Sequence, residues 1–250
     1  MTKAERMEKR QMAEGTASAK YRHEEKFLCD SMQNAVLKTR AGAILKRDAH
    51  SSEAGCYRVR SLYFDSIQDS CYYESENGIG ERDKYRIRIY NADSGNIFLE
   101  KKSKKRQMTL KHTCRIEEET CRRLMSGQRI EITSGMSKLQ KSLLMQLQGK
   151  AMRPAVIVEY LRYPFVEGNG NVRMTFDEHI CSSNDIERFL EERISCRPVL
   201  EKGMSVFEVK WDEFLPGYIK HFIQMDSLQW SSFSKYYLCR KYNAYGGIRV

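Results

Sequence analysis

The chain has 250 residues, with 43 lysines and arginines against 33 acidic residues, a formal net charge of +10. A hydrophobic content of 41% allows a buried core, the length suits one domain, and the charge points to polyanionic partners: phosphate chains, nucleotides, nucleic acid or an anionic membrane surface. The longest aliphatic run, Ala155-Val156-Ile157-Val158, is far short of the roughly 20 apolar residues a spanning helix needs, so no membrane-crossing helix is expected.

Met1–Lys20 is charged and alanine-rich without an apolar run, which argues against a secretory signal and predicts a frayed or disordered lead. Tyr21–Leu28 predicts a first strand with Arg22, Glu24 and Lys26 on one face. Ser31 is the expected cap of a helix reaching about Arg47, with Met32, Ala35, Val36, Leu37, Ile44 and Leu45 as its apolar stripe. Tyr57–Asp65 reads as the second strand, followed by a polar turn region with a short helix over Ser66–Asn77; Gly78 and Gly80 mark a turn before the next strand.

In Lys84–Tyr90 a period of two puts Lys84, Arg86 and Arg88 on one face and Tyr85, Ile87 and Ile89 on the other. Asn91–Asn96 supplies a hairpin turn rich in Asn, Asp and Gly. The chain returns through Ile97–Lys102, with Glu100 and Lys102 opposite Ile97 and Leu99, and Met108–Glu117 then places Lys111 and Arg115 opposite Leu110 and Ile116. Helices are predicted over Glu117–Ser126, opening on acids that suit a helix N-terminus, and over Ser137–Gly149, closed by a glycine cap. The strand Ala155–Tyr163 leads a face of Val156, Val158, Tyr160 and Arg162, with Pro164 expected to end it. Asn171–Asp177 aligns Arg173, Thr175 and Asp177; Asp185–Glu192 reads as a short helix; Met204–Trp211 sets Glu208 and Lys210 opposite Phe207, Val209 and Trp211. Pro216 suits the first position of a helix to about Met225, and a final helix opens near Ser234, Lys235 and Tyr236.

The eight cysteines form no Cys-x-x-Cys pair and no zinc spacing. They read as reduced cytosolic thiols, with no disulfide expected. No nucleophile–base pair and no glycine-rich phosphate loop is present. Lys104, Lys105 and Arg106 read as loop charge, and His112, His179, Trp211 and Trp230 as structural.

Like charges side by side destabilise a sheet, so repeated cationic faces imply an anion to receive. The opposite faces are apolar, and both can be used if the sheet closes so that the charged face lines a lumen. The expected fold is therefore α+β: an antiparallel β-barrel tunnel with peripheral helices. Arginine forks and lysine ammoniums suit phosphate oxygens, and a few carboxylates among them suit Mg2+ or Mn2+ held together with phosphates. Glu100 is one such candidate metal ligand. Nucleic-acid binding is not expected, because the cations lie at strand spacing on an enclosed face.

The segments Ser61-Leu62-Tyr63-Phe64-Asp65, Lys84-Tyr85-Arg86-Ile87-Arg88, Leu99-Glu100-Lys101-Lys102, Tyr160-Leu161-Arg162-Tyr163-Pro164-Phe165, Val172-Arg173-Met174-Thr175-Phe176-Asp177 and Phe207-Glu208-Val209-Lys210 follow one another in this chain. In that order they resemble VTC domains, the vacuolar transporter chaperone-type polyphosphate polymerase domains of the triphosphate tunnel metalloenzyme superfamily. The resemblance runs from Tyr21 to Tyr242, and 21–250 is expected to form one tunnel domain. It implies transfer of the ATP γ-phosphoryl group to a growing polyphosphate chain, with release of ADP and manganese (or magnesium) as the metal. It further implies Arg86, Arg88, Lys102, Arg162, Arg173 and Glu208 as the catalytic set, with Glu208 holding the metal. Lys26, Lys84, Lys111, Tyr160, Ser234 and Lys235 are the implied further substrate contacts. The phosphate-sensing SPX domain and membrane helices of eukaryotic relatives are not in this sequence. A cytoplasmic protein is expected, with peripheral attachment at the inner face of a membrane as one option and a separate membrane protein that takes up the product as a candidate partner. Two alternatives stand beside the polymerase: a tunnel triphosphatase acting on inorganic or nucleoside triphosphate, and a non-catalytic polyphosphate-binding subunit.

Overall fold

The computed structural model describes residues 20–49, 51–224 and 228–244. The expected lead before Lys20 and the expected helix end at Met225 lie outside these residues. The strands are β1 (Arg22–Cys29), β2 (Lys46–Arg47), β3 (Tyr57–Asp65), β4 (Glu81–Tyr90), β5 (Ile97–Lys105), β6 (Met108–Ile116), β7 (Arg153–Glu167), β8 (Val172–Ser183), β9 (Arg197–Pro198), β10 (Ser205–Trp211) and β11 (Gln229–Trp230). The helices are α1 (Ser31–Ile44), α2 (Ser70–Glu76), α3 (Glu118–Met125), α4 (Lys138–Gly149), α5 (Gly217–Ile223) and α6 (Lys235–Ala244).

Eight strands pair antiparallel in the order β7-β3-β4-β5-β6-β1-β10-β8, and β8 pairs back onto β7. The sheet is a closed barrel, as expected from its two incompatible faces. Closure leaves none of these eight strands as an exposed edge. The apolar faces point outward and are covered by helices. Tyr85, Ile87, Ile89, Leu99 and Ile116 share one buried cluster with Leu143, Leu144 and Leu147 of α4 and Leu124 of α3. Across the barrel, Phe27, Met174, Phe176, Phe207 and Val209 pack with Leu37 and Ala41 of α1 and Ile219 and Phe222 of α5. The Phe176 and Phe207 rings stack at 4.8 Å. Each such side chain contributes about 1.5–3 kcal/mol by leaving water, so the outer cores hold the charged inner face in place.

The helix α1 departs from expectation. Its cap is Asp30, one residue before Ser31: the Asp30 carboxylate accepts the Gln33 N–H at 2.8 Å and the Gln33 side chain accepts the Asp30 N–H at 3.0 Å, a reciprocal capping box. It ends at Ile44 because Lys46–Arg47 pair with β7. Its buried positions are Asn34, Leu37 and Ala41, whereas Met32 and Ile44 are exposed.

Pro164 does not end β7, which runs on to Glu167. Its carbonyl accepts the Asp48 N–H at 3.3 Å. In an antiparallel strand a residue's N–H and C=O point to the same side, so the missing N–H faces the two-residue strand β2 and removes no β7–β8 bond. The left-handed residue after α4 is Ala151, at φ 47°, not Gly149. Pro216 precedes α5 as its cap. Only Ile186–Arg188 of the expected Asp185–Glu192 helix is helical, as one 3-10 turn. The carbonyls beyond that turn go instead to Arg60, fully buried on the outer face of β3, which donates to Phe189 at 2.8 Å and to Glu192 at 3.1 Å. The expectation of no disulfide is also corrected: Cys181 of β8 and Cys196 are bonded, their Cα atoms 5.6 Å apart.

Candidate active site

Strand register decides which charges meet. Across β4 and β5, Arg86 faces Glu100 and Lys84 faces Lys102. Across β5 and β6, Lys102 faces Lys111. On the other side of the barrel Lys26 faces Glu208 between β1 and β10, and Arg162 faces Asp177 between β7 and β8. All are lumen positions of a period-two pattern.

The result is a set of ion-pair triads. Glu100, 1% exposed, accepts from Arg86 Nε at 2.7 Å and Nη2 at 2.6 Å, from Lys111 at 3.2 Å and from Thr113 at 3.4 Å. Asp177 takes both prongs of Arg162 at 2.7 Å each, and Lys235 of α6 at 2.7 Å. Glu24 accepts from Lys102 at 2.6 Å and Lys26 at 2.8 Å. Glu208 contacts Lys210, with Lys26 3.9 Å away. Arg173 bridges Asp48 at 2.7 Å and the Tyr57 hydroxyl at 3.0 Å.

Arg88 and Lys84, both on the lumen face of β4, have only neutral hydrogen-bond partners among the described residues. Arg88, 5% exposed, donates to Ser61 Oγ at 3.0 Å and to the Tyr160 hydroxyl at 3.2 Å. Lys84 donates to Ser234 Oγ at 2.8 Å. Around the lumen, Lys26, Lys84, Arg86, Arg88, Lys102, Lys111, Arg162, Arg173, Lys210 and Lys235 therefore outnumber Glu24, Glu100, Asp177, Glu208 and the rim residue Asp48.

The excess shows in the acid–base properties. Burial pushes Lys84 well below the usual lysine range, with repulsion from Arg82, Lys26 and Lys102 added. Lys102 is pulled down to about 7, first by burial, which with repulsion from Lys26 and Lys210 outweighs its bond to Glu24. Burial opposes ionisation of Glu24 and Glu100, but neighbouring cations hold both well below the carboxylate range. Burial would raise the Tyr63 phenol, yet Arg86 and Arg88 bring it below its ordinary value.

A polyanion bound beside Lys102 would restore its charge. The free protein loses that proton as pH rises through about 7, while an ordinary lysine keeps it to about 10.4. Binding of tripolyphosphate at pH 8 is thus expected to take up close to one proton at Lys102, and affinity to fall as pH rises from 7 to 10. Calorimetry in two buffers of different ionisation enthalpy measures this. Lys102→Arg, whose side chain stays protonated, is expected to reduce the uptake; equal uptake in parent and variant would contradict the assignment.

Each sequence-predicted site residue lies on the lumen or at its α6 end. Lys111 is the most open, its side chain half exposed. Glu100 does not fit a metal-holding role, since both its oxygens are engaged by Arg86, Lys111 and Thr113. Glu208 fits better: it is buried, its Oε1 contacts Lys210, and its Oε2 has Lys26 no nearer than 3.9 Å. Among the described residues no three acidic, histidine or cysteine side chains form a set able to hold a metal alone, so an ion here would need phosphate oxygens as ligands, as Mg2+ and Mn2+ commonly do. Glu24, Asp177, Lys210 and Tyr63 complete the lumen network; the sequence places the first three on charged strand faces but assigns none of the four a site role. Their signal was the same alternation that exposed their neighbours.

The family model of the VTC domain matches residues 21–243. No curated protein sequence matches the chain. Among solved structures, HpAC1 from Hippeastrum, described as an adenylyl cyclase candidate with dominant triphosphatase activity, is 12% identical. It covers 90% of this chain and 96% of its own at a TM-score of 0.53. The PH1819 protein of Pyrococcus horikoshii OT3 is 11% identical, covering 87% of this chain and 97% of its own at a TM-score of 0.46.

Proposed function

The chain belongs to the VTC domain family, and from that premise we propose that it is a metal-dependent ATP:polyphosphate phosphotransferase that moves the γ-phosphoryl group of ATP onto a growing polyphosphate chain and releases ADP. The observation that carries this reading is the closed lumen in which Arg88 and Lys84 meet only neutral partners. Buried cations in that state are complementary to a phosphate chain.

Phosphoryl transfer depends on positioning and charge neutralisation more than on covalent help. In the proposed reaction Arg88 and Arg86 bind the oxygens of the transferred phosphoryl group as charge builds on them. Arg162 and Arg173 grip the flanking phosphates, and Lys26, Lys84, Lys102 and Lys111 neutralise the rest of the chain, with Ser234, Lys235 and Tyr160 at its sides. The acceptor is the anionic end of a phosphate chain, so no base is needed to deprotonate it. A divalent ion held by Glu208 with phosphate oxygens would add Lewis-acid stabilisation of the same charge.

The competing reaction is hydrolysis, in which water replaces the phosphate acceptor; the triphosphatase activity described for HpAC1 makes it the rival to separate. Pure protein with ATP, Mn2+ and a short polyphosphate primer, analysed on a polyphosphate-staining gel, is expected to give a ladder and one ADP per phosphate added. Free phosphate without a ladder would establish the triphosphatase. Primer binding without turnover would leave an accessory binding subunit.

A further inference from the structure

One feature of the lumen does not suit inorganic phosphate. Tyr57, Tyr90 and Phe98 stand on the three adjacent strands β3, β4 and β5, at positions in phase with the charged face. Tyr90 follows Arg86 and Arg88 on β4, Phe98 pairs across with Arg88, and Tyr57 pairs across with Arg162. The Tyr57 and Tyr90 ring centroids are 5.6 Å apart at 77°, and those of Tyr90 and Phe98 are 6.1 Å apart at 66°. The Arg88 guanidinium lies 6.0 Å from the Tyr90 ring. Tyr57 is buried in the first apolar core and Tyr90 packs against it, whereas Phe98, half-buried like Tyr90, belongs to neither core. This is an aromatic row set one step beyond the arginines, toward the β4–β5 hairpin and away from α6.

A polyphosphate chain has no apolar or π face, so it would gain nothing from such a row. A nucleotide has one, attached to the end of its phosphates. We infer that Tyr90 and Phe98, backed by Tyr57, form a stacking site for the base of the nucleotide donor, which therefore enters base-last from the hairpin mouth with its γ-phosphate leading toward Arg86 and Lys84. Donor and chain then occupy opposite ends of one lumen: the donor's base at the hairpin mouth, the chain at the end where Ser234 and the first residue of α6, Lys235, reach in. This inference rests on the proposal that the lumen binds a nucleoside triphosphate.

The experiment compares Kd values of the full chain for a non-hydrolysable ATP analogue and for tripolyphosphate, in the parent, Tyr90→Leu and Phe98→Leu. Base–aromatic stacking of about 1–3 kcal/mol corresponds to a loss of roughly 5- to 150-fold. The ATP analogue is expected to weaken by at least about 5-fold in each variant, while tripolyphosphate stays within about 2-fold of the parent. Equal losses for both ligands, or no loss for either, would overturn the inference. If a variant does not fold, the parent decides: ATP and UTP carry the same phosphates, and a several-fold preference for the larger purine is expected, whereas equal affinity would overturn it. Failure of the polymerase proposal would appear separately, as a missing ladder with these binding ratios intact; an ATP analogue that does not bind at all would remove both.

Discussion

Arg88→Met is expected to lower kcat/KM for polyphosphate synthesis by about 1000-fold, the range seen when one preorganised charge is removed from a transition state. The same change is expected to alter folding stability by no more than about 1 kcal/mol, because no ion pair is broken. Arg88 is enclosed by Ser61, Tyr160 and the Tyr90 ring, and methionine fills most of its volume without leaving a charge unpaired. Its charge is favoured overall despite burial, with Tyr160 and Glu100 countering the repulsion of Arg86. Steady-state kinetics and urea unfolding on the same preparation test both halves. A variant that loses activity only because it has unfolded would contradict this assignment, and so would one that retains a tenth of the parent activity.

Asp177→Ala is expected to do the reverse and strike the fold first. Asp177 is fully buried and holds Arg162 through two bonds and Lys235 through a third. Its removal leaves two cations in the lumen with no counter-charge, a change that costs about 3–5 kcal/mol when one partner of a buried pair is lost. Lys235 opens α6, so the loss also loosens the helix whose Tyr236 hydroxyl bonds Asp65, together with Ser234, the residue just before it, which holds Lys84. Saturating tripolyphosphate is expected to recover part of the stability by supplying the missing negative charge. Acid should mimic the variant. Although burial opposes it, Arg162 and Lys235 hold the Asp177 carboxyl below its ordinary value, so its contribution is present above an unfolded value of about 3.9 and is lost as pH falls through the lower folded one. An unfolding midpoint for Asp177→Ala equal to the parent's, with no response to tripolyphosphate, would rule this account out.

The lumen was readable in sequence because strand alternation is local. Lys84, Arg86 and Arg88 opposite Tyr85, Ile87 and Ile89 need no partner to declare two faces, and repetition of the pattern in later strands implied closure. What could not be read depended on contacts between distant segments. Pro164 looked like a strand end because only the fold shows that its missing N–H faces the short strand β2. Cys181 and Cys196 showed no motif because a β8 strand end and a connecting loop bring them together. Nothing local in the sequence sets Arg60 apart, yet its outward position makes it the collector of carbonyls from a segment that otherwise suggested a helix. Glu100 looked like a metal ligand until Arg86 and Lys111 were seen to engage both its oxygens. The aromatic row falls in the same class: Tyr57 is distant in sequence from Tyr90 and Phe98, and the three form one surface only once β3, β4 and β5 are in register.

The most direct test of the account follows the phosphoryl group itself. Pure protein is incubated with ATP labelled either at the γ or at the α position, with Mn2+ and an unlabelled polyphosphate primer, and acid-insoluble polymer is separated from nucleotide. The account predicts γ label in lengthening polymer and α label wholly in ADP, with both outcomes lost in Arg88→Met. γ label recovered only as free phosphate would contradict it and make the lumen a site of hydrolysis.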